Sequence, residues 1–581
     1  MFAPFAAIAA EFAIPTAIAP LPGGTLPEVI CARLPEAVTA RIQTLDWGAP
    51  FETLVAGLAQ ALQDWHGSNN LPCQTSRTPS GRGLVYLGYY DEQATAQALQ
   101  LGYELALVSY AQGQQAVDAD SALVARVVQL GEVMQARQPR ELDRAMIRAA
   151  QAREIPFYRV VPGERMFQYG QGKYGRHFLG AGSQCDSYTG TLLQENKAIS
   201  NFLVRRLGFP GVEHGVADTA DNAVRLASRI GYPVVIKPID GRQGQGVTAG
   251  VTSEEEVAVA FAEANAISPG QVIVERFVEG EDVRLVVYCG QFACAFLRSP
   301  PQLVSDGKHT VMELIDLENQ RRAETPAEVS KRLIVDPAMV AILRKQGLSL
   351  DDRVPANQIV TLRSVVSLRL GGTRVLVTDR VHADNRGMAE AIARCFRLDT
   401  VGIDFLTADI TKSWREVRCA VIEVNLSPSF PFADMQASLL LERTFPGTST
   451  GRIPFVVVVS TEPAQVKEVV PILQRQGLTV GFVEHASSLL GGEPRAIEHV
   501  RLAERVQGLL LDPACEALVV ACTPEEILEQ GLSVDRCDLC VIEPQVKSWQ
   551  PLRGLLEQCS GRIIENVPAK AAVTQWLKDT A

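Results

Sequence analysis

Val-Val-Ile-Lys-Pro at residues 234–238 is followed closely by Gly-Arg-Gln-Gly-Gln-Gly, which ends at Gly246. A short apolar run that is closed by a proline and glycines predicts a buried β-strand and then a loop. An ammonium group at the end of such a strand, as at Lys237, is costly unless it meets a negative charge. Glycines at Gly241 and Gly244 let the backbone close over phosphates, which the lysine can neutralise. The stretch therefore predicts a polyphosphate site.

Helix and strand signals surround this stretch and indicate an α/β domain. Helical spacing predicts one helix over 197–207 and a second over 221–230. Another apolar run, over 272–275, predicts a neighbouring strand that ends in a carboxylate and is followed by Asp282 and Arg284. The predicted phosphate site thus has acidic and basic side chains close to it in the chain.

Hard oxygen ligands occur further along the chain. The predicted strand over 419–424 places Glu423 and Asn425 on one face of its pleat, and Asp404 lies in an earlier apolar stretch. Two carboxylates and an amide oxygen suit Mg²⁺, which keeps water and nucleotide phosphates in its remaining positions. Together with the glycine-rich loop, they predict a site for a magnesium nucleotide.

Composition indicates a folded protein of several domains that has no general attraction for polyanions. The chain has 581 residues, of which 47% are hydrophobic and 21% charged, and 55 basic against 66 acidic residues give a net charge of −11. That length predicts three or four domains, and the charge argues against partners such as nucleic acid or membrane surfaces. The glycine-rich, basic stretch over 155–191 is expected to be a connector rather than a packed element.

The N-terminal residues do not predict a targeting signal, and the CxxC pair near the other end of the sequence does not predict a metal site. Residues 1–22 are apolar but lack the basic region of a secretion signal and contain Glu11 as their only charge, so a cytoplasmic location is expected. No apolar run approaches the roughly 20 residues that a membrane helix needs. Cys537 and Cys540 form the only CxxC pair, and with no second pair nearby they are interpreted as structural thiols.

The segment beyond residue 450 alternates short apolar strands with helical stretches. Strands are predicted over 455–459, 479–483, 517–521 and 539–543, and a helix over 464–476. This alternation predicts a parallel sheet that is covered by helices.

In this order, the motifs resemble those of the ATP-grasp ligases and, within them, the cyanophycin synthetase family. The resemblance spans about residues 196–446. The matching motifs are Glu195-Asn-Lys197, Val234-Val-Ile-Lys-Pro238 with its loop, Val274-Glu-Arg-Phe277 with Asp282 and Arg284, Arg298-Ser-Pro-Pro301, Ser305-Asp-Gly-Lys-His-Thr310, Arg363, Gly371-Gly-Thr373, Thr378-Asp379, His382 and Glu423-Val-Asn425. The resemblance implies ATP and Mg²⁺ as cofactors.

The resemblance also implies a role for each matching side chain. Those that would hold ATP are Lys197 and Lys237 at the phosphates with Gly241, Gly244 and Gly246, Glu275 and Phe277 at the adenine, and Asp282 at the ribose. Those that would bind magnesium are Asp404, Glu423 and Asn425. Those that would face the γ-phosphate and the substrate are Arg284, Arg298 and Arg363, with Asp306, Lys308 and His309 near the acceptor pocket.

The C-terminal segment resembles the first part of the Mur-ligase-like domain that follows the ATP-grasp domain in cyanophycin synthetases. Where that domain has a P-loop, this chain has Ser-Thr-Glu-Pro-Ala-Gln-Val-Lys over 460–467, in which no glycine is present, Glu462 would repel an anion and Pro463 lacks an N–H. The predicted fold is therefore α/β and α+β multidomain: an N-terminal α/β domain (1–160), a central ATP-grasp domain (161–450) and a truncated, degenerate Mur-ligase-like domain (451–581) without a P-loop.

A single ATP site implies one activity among those known in the family. The truncated members join preformed β-aspartyl-arginine dipeptides, so the resemblance implies a ligase that polymerises this dipeptide through an acyl phosphate. Its partners would be the dipeptide and the growing polymer, and the family's habit of assembling suggests a homo-oligomer.

Departures from the family pattern leave two other interpretations open. The family's Asn-Leu-Ser-Thr before the paired glycines is replaced by Ser-Leu-Arg-Leu over 367–370, its aspartate in the next strand is Leu376, and Ser429 stands where it has a glycine. One alternative is an ATP-grasp ligase for another amino acid or small peptide, such as a glutathione-like or glutaminyl-glutamine product. The other is a nucleotide-binding pseudoenzyme.

Overall fold

A computed structural model describes residues 7–14, 26, 28–65, 73–77, 81–110, 121–137, 139–161, 163–239, 245–324, 332–363, 366, 370–428, 432–495, 501–530 and 534–580. The chain forms two compact units, one made of Met1–Gly180 with Phe445–Ala581 and the other of Ala181–Thr444. The central unit begins at Ala181, later than the boundary at residue 161 that the sequence predicts, because strands just before Ala181 pack in the first unit.

The N-terminal part of the first unit packs helices on a small antiparallel sheet. Its strands, in the order β1-β3-β2, are β1 (Ala7–Phe12), β2 (Cys73–Arg77) and β3 (Gly83–Gly88). Its helices are α1 (Glu28–Cys31), α2 (Glu36–Gln43), α3 (Phe51–Gln63), α4 (Glu92–Tyr110), α5 (Ser121–Arg137) and α6 (Glu141–Ala152). Apolar side chains make α3 the centre of this core, between the sheet and α4.

The predicted connector over 155–191 is wrong, because part of it folds as packed β-structure. Strands β4 (Phe157–Arg159), β5 (Met166–Tyr169) and β6 (Arg176–Leu179) form an antiparallel meander. Aromatic side chains from β5 and β6 are buried, and the Gln168 amide donates to the carbonyl oxygen of Leu510 at 2.7 Å. The meander is therefore held by contacts with residues far away in the sequence.

The second unit begins with a sheet that contains the strand predicted at residue 234. Its strands are β8 (His214–Ala217), β9 (Val234–Pro238), β10 (Thr248–Val251) and β11 (Val272–Arg276), in the antiparallel order β10-β9-β11-β8, and β7 (Gly182–Ser183) precedes them. The helices are α7 (Tyr188–Glu195), α8 (Lys197–Arg206), α9 (Ala220–Ile230) and α10 (Glu254–Ile267). Alternate residues of β9 and β11, including Ile236 and Val274, pack in one core with α9 and α10. The predicted helices and strands of this region are confirmed.

A second antiparallel sheet carries the downstream motifs. Its order is β16-β13-β12-β17-β18, with β12 (Glu281–Tyr288), β13 (Gln291–Ser299), β16 (Thr373–Leu376), β17 (Thr400–Thr407) and β18 (Cys419–Leu426). One face buries apolar residues such as Val283 and Ile403 with α13 (Ala383–Phe396), and α14 (Ala433–Thr444) follows the last strand. A separate small core is formed by β14 (Gln302–Val304), β15 (Ile359–Thr361), α11 (Val311–Ala323) and α12 (Pro337–Lys345).

The C-terminal part of the first unit is the predicted parallel sheet. Strands β19 (Phe455–Val459), β20 (Val480–Val483), β23 (Ala517–Cys522), β24 (Leu539–Ile542) and β25 (Ile563–Glu565) are parallel, and β21 (Ser488–Leu490) and β22 (Glu493–Pro494) extend one edge antiparallel. Its helices are α15 (Val470–Gln474), α16 (Leu502–Leu511), α17 (Pro524–Gln530), α18 (Arg553–Cys559) and α19 (Ala569–Thr580). The helix predicted over 464–476 is a 3₁₀ turn at Pro463–Val469 that continues into α15. Among the described residues, no helix is long and apolar enough to cross a membrane.

Candidate functional site

Lys237 and Glu275 form a buried ion pair on the face of the first sheet that is opposite to its helices. In the register of β9 and β11, Lys237 lies opposite Ile273 and Glu275 lies opposite Val235, so both charged side chains project from the same face. The Lys237 Nζ is 2.7 Å from the Glu275 Oε1, and the two residues are only 7% and 5% exposed. The strand alternation that buries Val234 and its neighbours under α9 and α10 thus places a cation and a carboxylate where ATP is predicted to bind.

Of the three predicted loop glycines, the structure describes the last. Gly246 has φ +64°, and a Cβ atom there would lie 2.6 Å from the Ile267 side chain, so glycine is favoured at this position for both reasons. Gly241 and Gly244 lie outside the described residues. Phe277, just beyond β11, is half-buried and its N–H donates to the Pro233 carbonyl at 3.1 Å, so the backbone of the predicted adenine hinge is tied to the start of β9.

The second sheet lines up charged side chains in two rows on its face away from α13. In one row, Arg284 of β12 lies opposite Asp404 of β17, which lies opposite Glu423 of β18. In the adjacent row, Asp282 lies opposite Arg298 of β13. Directly opposite residues of antiparallel strands point to the same face, with Cβ atoms about 4.5–5.5 Å apart. The pairing therefore brings together five predicted site residues that are far apart in the sequence.

Asp404 is the centre of this network. Its Oδ2 accepts from the Nη2 atoms of Arg284 and of Arg298, each at 3.0 Å, and the residue is only 4% exposed. Burial alone would raise the pKa of Asp404, but the two guanidinium groups lower it below its usual value. The carboxylate is therefore ionised and neutralised by the arginines.

The pKa of Asp282 is shifted in the opposite direction from that of Asp404. The Arg298 Nε donates to its Oδ1 at 3.0 Å. Burial raises the pKa of Asp282 above the usual value, and the nearby Asp404 charge raises it further, although Arg298 opposes both effects. The residue predicted to hold the ribose is thus bound to an arginine in this structure.

The predicted metal ligands lie on one face, and their present partners differ. The Asn425 Nδ2 donates to the Glu423 Oε2 at 3.2 Å, and the Lys197 Nζ lies 3.5 Å from the Glu423 Oε1. Lys197 is the first residue of α8, whose N-cap is the Asn196 side chain. Within the described ranges, no group of three or more His, Cys, Asp or Glu residues could hold a metal ion, so the predicted set depends on the Asn425 amide oxygen. Glu423 and Asn425 fit Mg²⁺ as oxygen donors, whereas Asp404 would have to exchange its arginine contacts for the metal.

Arg363 contacts the small core of β14, β15, α11 and α12. It is 7% exposed, and its Nη2 donates to the Asp336 Oδ2 at 2.8 Å and to the Ile334 carbonyl at 2.9 Å. The bond from Arg363 lowers the pKa of Asp336, which also caps the N-terminus of α12. These contacts give Arg363 a structural role beside the substrate role that the sequence predicts.

Asp306, Lys308 and His309 form a polar turn just before α11. The Asp306 Oδ1 accepts from the backbone N–H groups of Lys308, at 2.8 Å, and His309, at 3.0 Å, and its Oδ2 lies 2.6 Å from the His309 Nδ1. These hydrogen bonds hold the pKa of Asp306 well below its usual range. The turn is exposed, so its side chains are accessible to a ligand.

Arg374 is a charged residue of this face that sequence reasoning missed. It lies on the edge strand β16, directly opposite Arg298, and is half-buried. Burial and the neighbouring Arg284 and Arg298 lower the pKa of Arg374 to about 10. The alternation in Thr-Arg-Val-Leu over 373–376 is consistent with a strand, but only the register with β13 places this arginine beside the other two.

The loop over 460–467, which the sequence predicts not to bind nucleotide, has backbone N–H groups that are bonded within the protein. Ser460 is fully buried and its N–H donates to the Cys522 carbonyl at 2.9 Å, and the Glu462 N–H donates to the Ser460 Oγ at 3.0 Å. In the same part of the chain, Cys537 and Cys540 are buried, and burial raises the pKa of Cys537 to about 11. Its thiol is therefore protonated at neutral pH, which accords with a structural role.

Comparison with known proteins supports the nucleotide site. The family profile described as the carbamoyl-phosphate synthase L chain, ATP binding domain, matches residues 197–284. The chain is 33% identical over 418 residues to a cyanophycin synthetase from Crocosphaera subtropica, covering 68% of this chain and 47% of that one, and 30% identical over 413 residues to one from Synechocystis, with the same coverage. A glutathione biosynthesis bifunctional protein from Pasteurella multocida is 27% identical over 287 residues, covering 45% of this chain and 37% of that one.

These matches confirm the predicted central ATP-grasp fold. The chain spans about half the length of the curated relatives it matches. The Mur-ligase-like assignment of the C-terminal sheet stays a prediction.

Proposed function

Because the chain belongs to the cyanophycin synthetase family of ATP-grasp ligases, we propose that it joins a carboxylate to an amine at the expense of ATP. The observation that carries the proposal is the charged face in the second unit, where Lys197, Arg284, Arg298, Asp404 and Glu423 converge. A transferring phosphoryl group carries negative charge that such cations stabilise.

We assign ATP to the residues that the family resemblance implies. Lys237 would exchange part of its contact with Glu275 for phosphate, while Lys197 would approach the phosphates from the start of α8. Glu275 and Phe277 would contact the adenine and Asp282 the ribose. Asp404, Glu423 and Asn425 would hold Mg²⁺, whose chemistry there is to neutralise phosphate charge.

The proposed reaction has two steps. A carboxylate oxygen of the substrate attacks the γ-phosphorus, the bond to the β-phosphate oxygen breaks, and ADP and an acyl phosphate form. The amine of the second substrate then attacks the acyl carbon, inorganic phosphate leaves with the former carboxylate oxygen, and the amine loses a proton. Arg284 and Arg298 would stabilise the negative charge in both steps, which is supported by the position of their guanidinium groups on the same face as the predicted ligands.

We further propose β-aspartyl-arginine dipeptides as the substrate and the growing polymer as the partner. The family resemblance implies a second nucleotide-binding domain after the ATP-grasp domain, and in this chain the corresponding loop over 460–467 has no glycine. One ATP site suffices to join preformed dipeptides. We expect the protein to work as a cytoplasmic homo-oligomer without nucleic acid or membrane partners.

The test is phosphate release from Mg-ATP by the purified 581-residue protein. β-Aspartyl-arginine is compared with free aspartate plus arginine, each with and without a short cyanophycin primer, and Glu423→Gln serves as the inactive control. Release that depends on the dipeptide supports the proposal. Release with another amino acid or small peptide would indicate a different ligase, and ATP binding without release for any acceptor would indicate a pseudoenzyme.

A further inference from the structure

Asn425, the predicted amide ligand of Mg²⁺, lies near the end of an edge strand. β18 is the last strand in the order of the second sheet, with β17 as its neighbouring strand. Asn425 is the penultimate residue of β18 and lies opposite Gly402 of β17. The ends of edge strands open more readily than central strands, because neighbouring backbone holds them on fewer sides. The position of Asn425 therefore depends on the turn that follows it.

The turn after Asn425 has an uncommon backbone conformation and folds back over β17. Ser427 has φ +49°, a left-handed value that residues other than glycine rarely adopt, and its N–H donates to the Thr400 carbonyl at 2.9 Å. A Cβ atom at Gly402 would lie 2.7 Å from the Pro428 Cβ. Pro428 thus packs on the residue that lies opposite Asn425.

A buried glutamine of α14 holds this turn. Gln436 is 2% exposed, and its Nε2 donates to the Pro428 carbonyl and to the Tyr288 Oη, each at 3.0 Å. Because a carbonyl oxygen can only accept, the amide nitrogen of Gln436 must face Pro428. The Gln436 amide therefore ties the turn to Tyr288, a fully buried residue at the end of β12.

We propose that Gln436 is a positioning residue for the predicted magnesium site. It holds the turn at Ser427 and Pro428, and the turn holds Asn425 in place at the end of β18. This inference rests on the proposed function, which assigns Mg²⁺ to Asn425 and two carboxylates. Replacement of residues that orient metal ligands typically lowers metal affinity about 10- to 100-fold. Since Gln436 acts through the backbone, we expect the lower limit of this range, about 10-fold.

The experiment measures the binding of Mn²⁺, a paramagnetic probe of the Mg²⁺ site, to the protein with ADP by electron paramagnetic resonance. Gln436→Met keeps the approximate length of the side chain and removes the donor, so it should raise the Kd of Mn²⁺ about 10-fold. The Kd of ADP without divalent metal should stay within about twofold, because the residues proposed to bind adenine and phosphate are unchanged.

The matched control is Leu440→Ala, which also replaces a buried residue of α14. Leu440 is 1% exposed and lies one turn beyond Gln436 on the same face of the helix. Leu440→Ala should lower the stability of the protein and leave the Kd of Mn²⁺ within about twofold, because the hydrogen bond to the turn is intact. The control therefore separates loss of helix packing from loss of the turn.

A double-mutant cycle tests whether Gln436 acts through Asn425. Asn425→Ala removes the ligand, so adding Gln436→Met to it should change the Kd of Mn²⁺ by less than about twofold. The inference is overturned if Gln436→Met has the same effect with and without Asn425, or if it binds Mn²⁺ like the wild type. It is also overturned if Gln436→Met weakens metal-free ADP equally, or if Leu440→Ala weakens Mn²⁺ as much.

Phosphate release by the same proteins separates this inference from the proposed function. If Mn²⁺ binding depends on Gln436 and no acceptor causes phosphate release, the proposed function fails and the role of Gln436 stands. If the dipeptide causes release and Gln436→Met binds Mn²⁺ like the wild type, the proposed function stands and the role of Gln436 is rejected. If the wild type binds no Mn²⁺ with ADP, the role of Gln436 is rejected together with the assigned metal site.

Discussion

The buried pair of Lys237 and Glu275 allows stability and nucleotide binding to be separated by mutation. Lys237→Met keeps the approximate length of the side chain and removes its charge. Glu275, which is 5% exposed and bonded to Lys237 at 2.7 Å, then remains as a buried carboxylate without this cation. Removal of one partner of a buried pair costs about 3–5 kcal/mol, so Lys237→Met should destabilise the first sheet of the second unit by this amount.

The assay is hydrogen exchange of the amides in β9 and β11, measured by mass spectrometry on the 581-residue protein. A loss of about 3–5 kcal/mol corresponds to exchange that is about 10²- to 10⁴-fold faster, provided that opening of this sheet limits exchange. The double variant Lys237→Met with Glu275→Gln removes both charges, and most of the protection should return because no buried charge is left unpaired.

The double variant should regain the stability of the sheet but not the affinity for nucleotide. We expect MgATP to protect β9 and β11 in the wild type but not in the double variant, because the variant is folded and lacks the ammonium group that would hold phosphate. Exchange of Lys237→Met at the wild-type rate would show that the ion pair does not stabilise this sheet. Unchanged MgATP affinity of the double variant would show that Lys237 does not hold phosphate.

Three further predictions concern the first unit. Lys467→Ala should leave phosphate release unchanged, because the loop over 460–467 is not expected to bind nucleotide; a loss of release would indicate an active second site. Burial lowers the pKa of His177, so the unfolded state takes up a proton more readily, and stability should fall as the pH drops through about 6.5. Urea unfolding should show a smaller fall for His177→Gln, and an identical pH dependence would contradict the assignment. Gly172→Ala should lower the free energy of unfolding by about 1–3 kcal/mol, because the new Cβ would lie 2.0 Å from the Cys515 carbonyl oxygen at φ +48°. The control Gly508→Ala, in a helix with open space around it, should change it by less than about 1 kcal/mol in the stabilising direction, and equal effects of the two would refute the steric argument.

The elements that the sequence predicts best are those with local signals. The strand over 234–238 has an apolar run that Pro238 and glycines close, and the parallel strands beyond residue 450 alternate with helices at regular spacing. Both types of signal depend on residues that are neighbours in the chain. The same holds for the N-terminal end of α8, where Asn196 caps the helix that begins at Lys197.

The features that escape prediction depend on contacts between distant residues. The meander of β4, β5 and β6 looks like a connector because its glycines and basic residues hide a buried aromatic face and because Gln168 bonds to Leu510, far along the chain. Arg374 joins the charged face only because β16 pairs with β13 and Arg374 then lies opposite Arg298. The sequence around Arg374 does not show this pairing. For Arg363 the sequence predicts a functional role, whereas its bonds to Asp336 and Ile334 become visible only in the fold.

Transfer of oxygen from the substrate carboxylate to phosphate would show directly whether the protein forms an acyl phosphate. β-Aspartyl-arginine is labelled with ¹⁸O in the carboxylate that is to be activated, and the phosphate released from Mg-ATP is analysed by mass spectrometry. If the protein forms an acyl phosphate, one labelled oxygen should appear in the phosphate for each amide bond formed. Release of unlabelled phosphate during amide formation from this labelled substrate would contradict the proposed ligase mechanism.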